Sequence, residues 1–258
     1  MQDHFVRSVG KCFNRVSSIV ALLLLSSVLR AEEVCPIEIK LLISPPTIKS
    51  VIASLSFGKR TEGRVYLFDT DNLGLLKQGV IVRVRQGAKN DLTIKVRLPE
   101  DNEQAASPEL REQFGCEIDR TSAGADTSFS VGQEYKHQQI PETGDEIFKA
   151  LTSQQKRLLR AARVRIDWSQ VKRIANINST TWETQPRSLF RKLTLESWEW
   201  PTGNILELSA RVASNESESR YTELQQIVNT NGISLSANQG TKTSLVLKTL
   251  TPDASPAR

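Results

Sequence analysis

Three stretches place two basic side chains two residues apart: Arg83-Val84-Arg85, Lys95-Val96-Arg97 and Arg163-Val164-Arg165. In an extended strand such a pair points to one face. Side-by-side cations repel unless an anion lies between them, and guanidinium groups grip phosphate oxygens in bidentate fashion. Carboxylates occur in strands of the same pattern, at Glu38, at Glu117 and Asp119, and at Glu207. Their hard oxygens suit Mg²⁺ or Mn²⁺, either of which bridges to phosphate. These residue types at this spacing therefore point to chemistry on a phosphate-rich anion.

The elements that carry these groups read as strands. Apolar and ionic residues alternate in Ile37–Leu41, Val80–Arg85, Leu92–Arg97, Cys116–Asp119, Arg163–Trp168 and Leu206–Val212, and Lys192–Glu196 adds a further strand. One arrangement with this pattern is an antiparallel sheet with a solvated face. Almost every polar position is ionic, however, which favours a closed barrel with apolar residues outward and charges inward. Helices are expected at three places. Ser44-Pro45-Pro46 opens one with Ile48, Val51, Ile52 and Leu55 on its inner stripe; the others cover about Thr143–Ala162 and Glu218–Asn231. Pro99–Pro108 and Ser122–Gly132 read as mobile loops, and 251–258 as a disordered tail. Trp168, Trp182, Trp198 and Trp200 read as outer-face packing beneath helices, and Asp69 as a turn former.

Composition bounds the alternatives. The 258 residues are 38% hydrophobic and 24% charged, an ordinary globular balance. Two histidines, His4 and His137, exclude a mechanism built on several imidazoles, and three isolated cysteines exclude a zinc ribbon. Arg7, Lys11 and Arg15 precede the apolar run Val16–Leu29, with Ala31 after it, which reads as a signal peptide over 1–31. Its removal would take most of the +5 charge excess and Cys12 with it. A duplex nucleic-acid partner is then not indicated. The remaining pair, Cys35 and Cys116, suggests one disulfide in a periplasmic or extracellular protein with no stable membrane span after cleavage.

The strands, in this order, resemble the CYTH family of triphosphate tunnel metalloenzymes. The residues that carry the likeness are Ile37-Glu38-Ile39-Lys40, Tyr66-Leu67-Phe68-Asp69-Thr70 with Leu75-Leu76, Arg83-Val84-Arg85, Leu92-Thr93-Ile94-Lys95, Glu117-Ile118-Asp119, Arg163-Val164-Arg165 and Leu206-Glu207-Leu208. Phe68–Lys95 is the most specific stretch, and the whole covers about residues 36–248. The resemblance implies an α+β fold: an antiparallel eight-stranded β-barrel, a tunnel with a charged lumen and a few surrounding helices, spanning residues 32–250. It implies a metal-dependent hydrolase of inorganic or organic triphosphates that uses Mg²⁺ or Mn²⁺. Lys40, Arg83, Arg85, Lys95 and Arg163 or Arg165 would bind a small polyanionic phosphate substrate. Glu38, Glu207 and Asp119 would hold metal, and Glu117 and Arg85 would act in catalysis, with Lys242 as a late basic residue. In such a tunnel the strands after Cys35 and at Cys116 could lie close enough for a bridge. Two positions depart from the family pattern: Pro36 and Ser209 stand where many members carry carboxylates. The alternative is therefore a tunnel that binds polyphosphate or another polyanion without turnover.

Overall fold

The computed structural model describes residues 35–44, 47–99, 106–184 and 190–251. The expected signal peptide, most of the Pro99–Pro108 loop and the expected tail beyond Thr251 lie outside the described residues. Nine strands form one closed barrel: β1 (Ile37–Ile43), β2 (Phe57–Asp69), β3 (Val80–Gly87), β4 (Asp91–Pro99), β5 (Cys116–Thr121), β6 (Gly124–Glu134), β7 (Lys172–Thr184), β8 (Leu193–Trp200) and β9 (Gly203–Val212). Their order around the barrel is β1-β5-β6-β4-β3-β2-β7-β8-β9, closing back on β1. The fold is thus α+β with a barrel, as the sequence suggests, but with nine strands and a mixed sheet. The β1–β5 pairing is parallel and short, aligning Ile37 with Ile118, Glu38 with Asp119 and Ile39 with Arg120.

Alternation sends the apolar residues outward. Val80, Val82, Val84, Leu92, Ile94, Val96, Phe129 and Val131 form one outer core. Helices α3 (Pro108–Gln113), α4 (Gly144–Ala150) and α5 (Ser153–Ala161) cover it through Leu110, Ile147 and Leu158. A second outer core joins Ile37, Ile39, Leu41, Leu195, Leu206 and Leu208 to α1 (Ile48–Ser54) and α6 (Ser217–Thr230) through Val51, Leu224 and Val228. The expected helical region at 143–162 is two helices, each opened by its own capping box at Thr143 and Thr152. Buried Gln155 on α5 donates to the main-chain oxygens of Leu92 and Val131, tying the helix to β4 and β6.

A short helix, α2 (Gly74–Lys77), follows β2. Buried Asp69 accepts from the backbone N–H groups of Thr70, Leu75 and Leu76 at 2.7, 2.8 and 3.0 Å, so it shapes this turn as expected. The turn leads to Gly79, whose φ of +71° is open to glycine and whose missing Cβ would stand 2.3 Å from the Arg97 carbonyl oxygen. This close approach registers β3 against β4.

Three sequence expectations change. Ser122–Gly132 is largely β6, not a mobile loop: its small residues Ser128, Ser130 and Gly132 sit at alternate positions, opposite Arg97, Lys95 and Thr93 of β4. Arg163–Trp168 is not a strand. Arg163 has φ +56° and ends α5, its N–H bonding to Arg160 and that of Val164 to Leu159, a Schellman arrangement. Val164, Ile166 and Trp168 then pack on the first outer core without a strand partner. Finally, α7 (Lys242–Leu250), absent from the three helical regions read in the sequence, packs Val246 and Leu247 on Val65, Leu67, Ile177 and Trp198. Val65 and Leu67 share a strand face with the lumen residues Thr61 and Gly63, and Trp198 with Glu196, so α7 closes one end of the barrel. Trp198 consequently faces inward, whereas Trp182 packs on the outer core.

Candidate active site in the barrel lumen

The inward positions line a cavity of 1020 Å³ in which cations outnumber carboxylates. β1 contributes Glu38 and Lys40, β3 Arg83 and Arg85, β4 Asp91, Thr93, Lys95 and Arg97, β5 Glu117, β8 Glu196, and β9 Glu207 and Arg211. Exposed Arg191, Lys192 and Arg211 stand at its rim.

At the centre lies Asp119, its side chain fully enclosed. Oδ1 accepts from Lys40, and Oδ2 from Lys95 at 2.6 Å and Arg97 at 3.0 Å. Burial alone would raise the Asp119 pKa, but these three cations hold it well below the usual carboxylate range. Burial would likewise lower the Lys40 pKa, yet Glu38 and Asp119 drive it above the usual lysine value. At Lys95 burial and the neighbouring Lys40 prevail and the pKa falls. Glu38 pairs with Lys40 at 3.0 Å, and Glu117 with Arg211 at 2.8 Å and Lys95 at 3.7 Å.

Glu38, Glu117 and Asp119 each present an oxygen within 4.8 Å of the others. Three hard oxygen donors on two adjacent strands fit a divalent cation of the Mg²⁺ or Mn²⁺ type. Glu207, expected with them, lies outside that group. It accepts from Lys242 of α7 at 2.8 Å, and Lys242 also binds Glu196. Glu196 further accepts from Ser179 at 2.8 Å and from the Trp198 indole at 2.7 Å, while the Lys242 ammonium sits 4.8 Å from the Trp198 ring. Burial would raise the Glu196 pKa, but Lys242, Trp198 and Ser179 bring it down to about 2.

On the opposite wall, Arg85 makes a bidentate bond with Asp91, its Nε 2.9 Å from Oδ1. Arg83 stands between Leu67 and Thr93 in the register. Its buried Nε has no hydrogen-bond partner among the described residues. Burial and the adjacent Arg85 press its pKa down to about 10, so at neutral pH it is a charged group that would gain from an anion.

The structure thus brings together Lys40, Arg83, Arg85, Lys95, Glu38, Glu117, Asp119 and Glu207 in one lumen. It does not bring Arg163 and Arg165 there: both are exposed, beyond α5 on the outside. The sequence pairs Arg97 with Lys95 on one strand face, but the resemblance carried no binding role onto it; Glu196 and Trp198 were missed as lumen groups. Cys35 and Cys116 form a disulfide, as the cysteine count suggests. Among the described residues no helix is long and apolar enough to cross a membrane.

No family model matches the chain, and no curated protein does. Solved structures share its fold. One is a provisionally assigned adenylyl cyclase from Hippeastrum that reveals a dominant triphosphatase activity: TM-score 0.55, 17% identity, 82% of this chain and 94% of that one. Another is a provisionally assigned adenylate cyclase from Bacillus halodurans: TM-score 0.51, 20% identity, 82% of this chain and 96% of that one. At these identities the likeness concerns architecture alone.

Proposed function

We propose that this chain is a divalent-metal-dependent hydrolase of triphosphate-containing anions, of the CYTH type, acting inside the barrel. The observation that carries the reading is an enclosed lumen in which Arg83, Arg85, Lys40 and Lys95 face a group of three carboxylates. A triphosphate is a small, linear polyanion, and the triphosphatase activity described for the Hippeastrum structure of the same fold supports that substrate class.

Glu38, Glu117 and Asp119 would hold the ion, Mg²⁺ or Mn²⁺, which when bound supplies charge to polarise phosphate oxygens. Arg83 takes phosphate oxygens first, because its buried Nε has no hydrogen-bond partner among the described residues. Arg85 shares its fork with Asp91 and stabilises charge that develops on the transferred phosphoryl group. Lys40 and Lys95 neutralise the remaining oxygens. Glu117, with 22% of its side chain exposed, orients the attacking water. The Cys35–Cys116 bridge supports an exported setting, where the substrate would be a polyphosphate-like or extracellular phosphate compound.

One observation favours a second reading, binding without turnover. Both Asp119 oxygens are already engaged by cations, and Pro36 and Ser209 supply no carboxylate to β1 or β9. Phosphate release from tripolyphosphate, measured with Mg²⁺, Mn²⁺ or chelator and with Arg85→Ala, decides between them. Metal-dependent release abolished by the substitution supports the hydrolase. A rise in Tm with tripolyphosphate and no release supports the binder.

A further inference from the structure

The three carboxylates at the proposed cation site belong to two strands that local sequence does not hold together. Glu38 comes from β1, Glu117 and Asp119 from β5, and the strands meet in a parallel pairing of three residue pairs. Parallel neighbours lack the tight hairpin that joins β5 to β6. Glu38 and Asp119 are register partners, so two like charges sit side by side across this seam.

The disulfide sits at the end of that seam. Cys35 and Cys116 each precede the first register pair, Ile37 and Ile118, by two residues, and the bridge joins points 81 residues apart in the chain. The Ile118 N–H donates to the Pro36 carbonyl at 2.9 Å directly beside it. Glu117 follows Cys116 without an intervening residue, and Glu38 is three residues past Cys35. The Ser214 hydroxyl donates to the Cys35 carbonyl at 3.3 Å, tying the same point to the end of β9.

We propose that Cys35–Cys116 is a positioning bridge for the lumen site: it holds Glu38 against Glu117 and Asp119, so that cation affinity depends on the redox state of a bond outside the ligand set. The inference rests on the cation site proposed above. Reduction by a dithiol breaks the S–S bond into two thiols, while the reductant closes its own disulfide and supplies the two electrons and two protons.

The test is Mn²⁺ affinity, read from the electron paramagnetic resonance of free Mn²⁺. It compares three samples at 25 °C: the oxidised protein, the protein reduced with dithiothreitol and freed of it without air, and Cys35→Ser/Cys116→Ser. Circular dichroism reports the fold in each. Asp69→Ala, which weakens the turn after β2, reports what loss of stability alone does. The expected result is Mn²⁺ binding about tenfold weaker in the reduced and double-variant proteins, the scale of loss when groups supporting metal ligands are removed. Asp69→Ala should bind as the wild type does. Equal Mn²⁺ affinity in oxidised and reduced folded protein overturns the inference and leaves the cation site standing. Unfolding of both forms that lack the bridge at 25 °C also overturns it, since the bridge is then needed for the fold itself. Absence of Mn²⁺ binding in the oxidised protein overturns the cation site and this inference together.

Discussion

Lys40 on β1 donates to Asp119 on β5 across a parallel seam of the barrel, and Glu38, two residues before Lys40, is the register partner of that same aspartate. One enclosed carboxylate therefore organises cations from β1 and β4. Asp119→Asn would leave Lys40, Lys95 and Arg97 without their shared counterion. The expected cost is about 3–5 kcal/mol, the range for breaking a buried ion pair on one side. Thermal denaturation measures it. Tripolyphosphate should raise the Tm of Asp119→Asn more than that of the wild type, because the anion replaces the lost charge.

Glu196 sets an acid limit on stability. Its pKa in the fold is about 2, against an ordinary 4.5, because Lys242, Trp198 and Ser179 outweigh its burial. A lowered pKa contributes stability that is complete above about pH 4.5 and is lost as pH falls towards 2. The contribution is about 3 kcal/mol at neutral pH. Tm measured from pH 6 to pH 2 should fall less steeply for Glu196→Gln, which has no proton to take up.

Lys242 anchors α7 in the end of the barrel through Glu196 and Glu207. Lys242→Met leaves buried Glu207 and partly buried Glu196 facing each other in the β8–β9 register without their cation. It should cost about 3–5 kcal/mol in urea denaturation, followed by tryptophan emission, in which Trp198 reports the site. Adding Glu196→Gln and Glu207→Gln should recover part of the loss. Equal stability of the single and triple variants would show that charge is not the cause.

Asp69 gives a contrasting expectation. It satisfies backbone N–H groups of the turn and α2, outside the lumen. Asp69→Ala should lose about 1–2 kcal/mol, as for a helix cap, with tripolyphosphate binding unchanged.

How much of this was legible in the sequence follows from what alternation can encode. Val82 and Val84 against Arg83 and Arg85 specify faces and hence a lumen, because a strand alternates strictly. Alternation does not specify a partner. Arg163-Val164-Arg165-Ile166 has the same pattern, yet Arg163 closes α5 in a left-handed conformation and the segment pairs with no strand among the described residues. The small residues of β6 read as a loop because glycine and serine favour turns. Here they make room opposite Lys95 and Arg97. The Lys242–Glu196–Glu207 contact joins residues 46 and 35 positions apart, and nothing local announces it. Parallel pairing of β1 with β5 is equally non-local, and only the cysteine count hinted at it.

The central claim is that a phosphate chain lies in the lumen against Arg83. Calorimetric titration of tripolyphosphate into the wild type and Arg83→Ala, in chelator, tests it with or without turnover. The account predicts wild-type binding that Arg83→Ala weakens about tenfold or more, consistent with a loss of 1.5–3 kcal/mol for a charge-assisted hydrogen bond. Equal affinity in the two proteins, or no binding to the wild type, would contradict it.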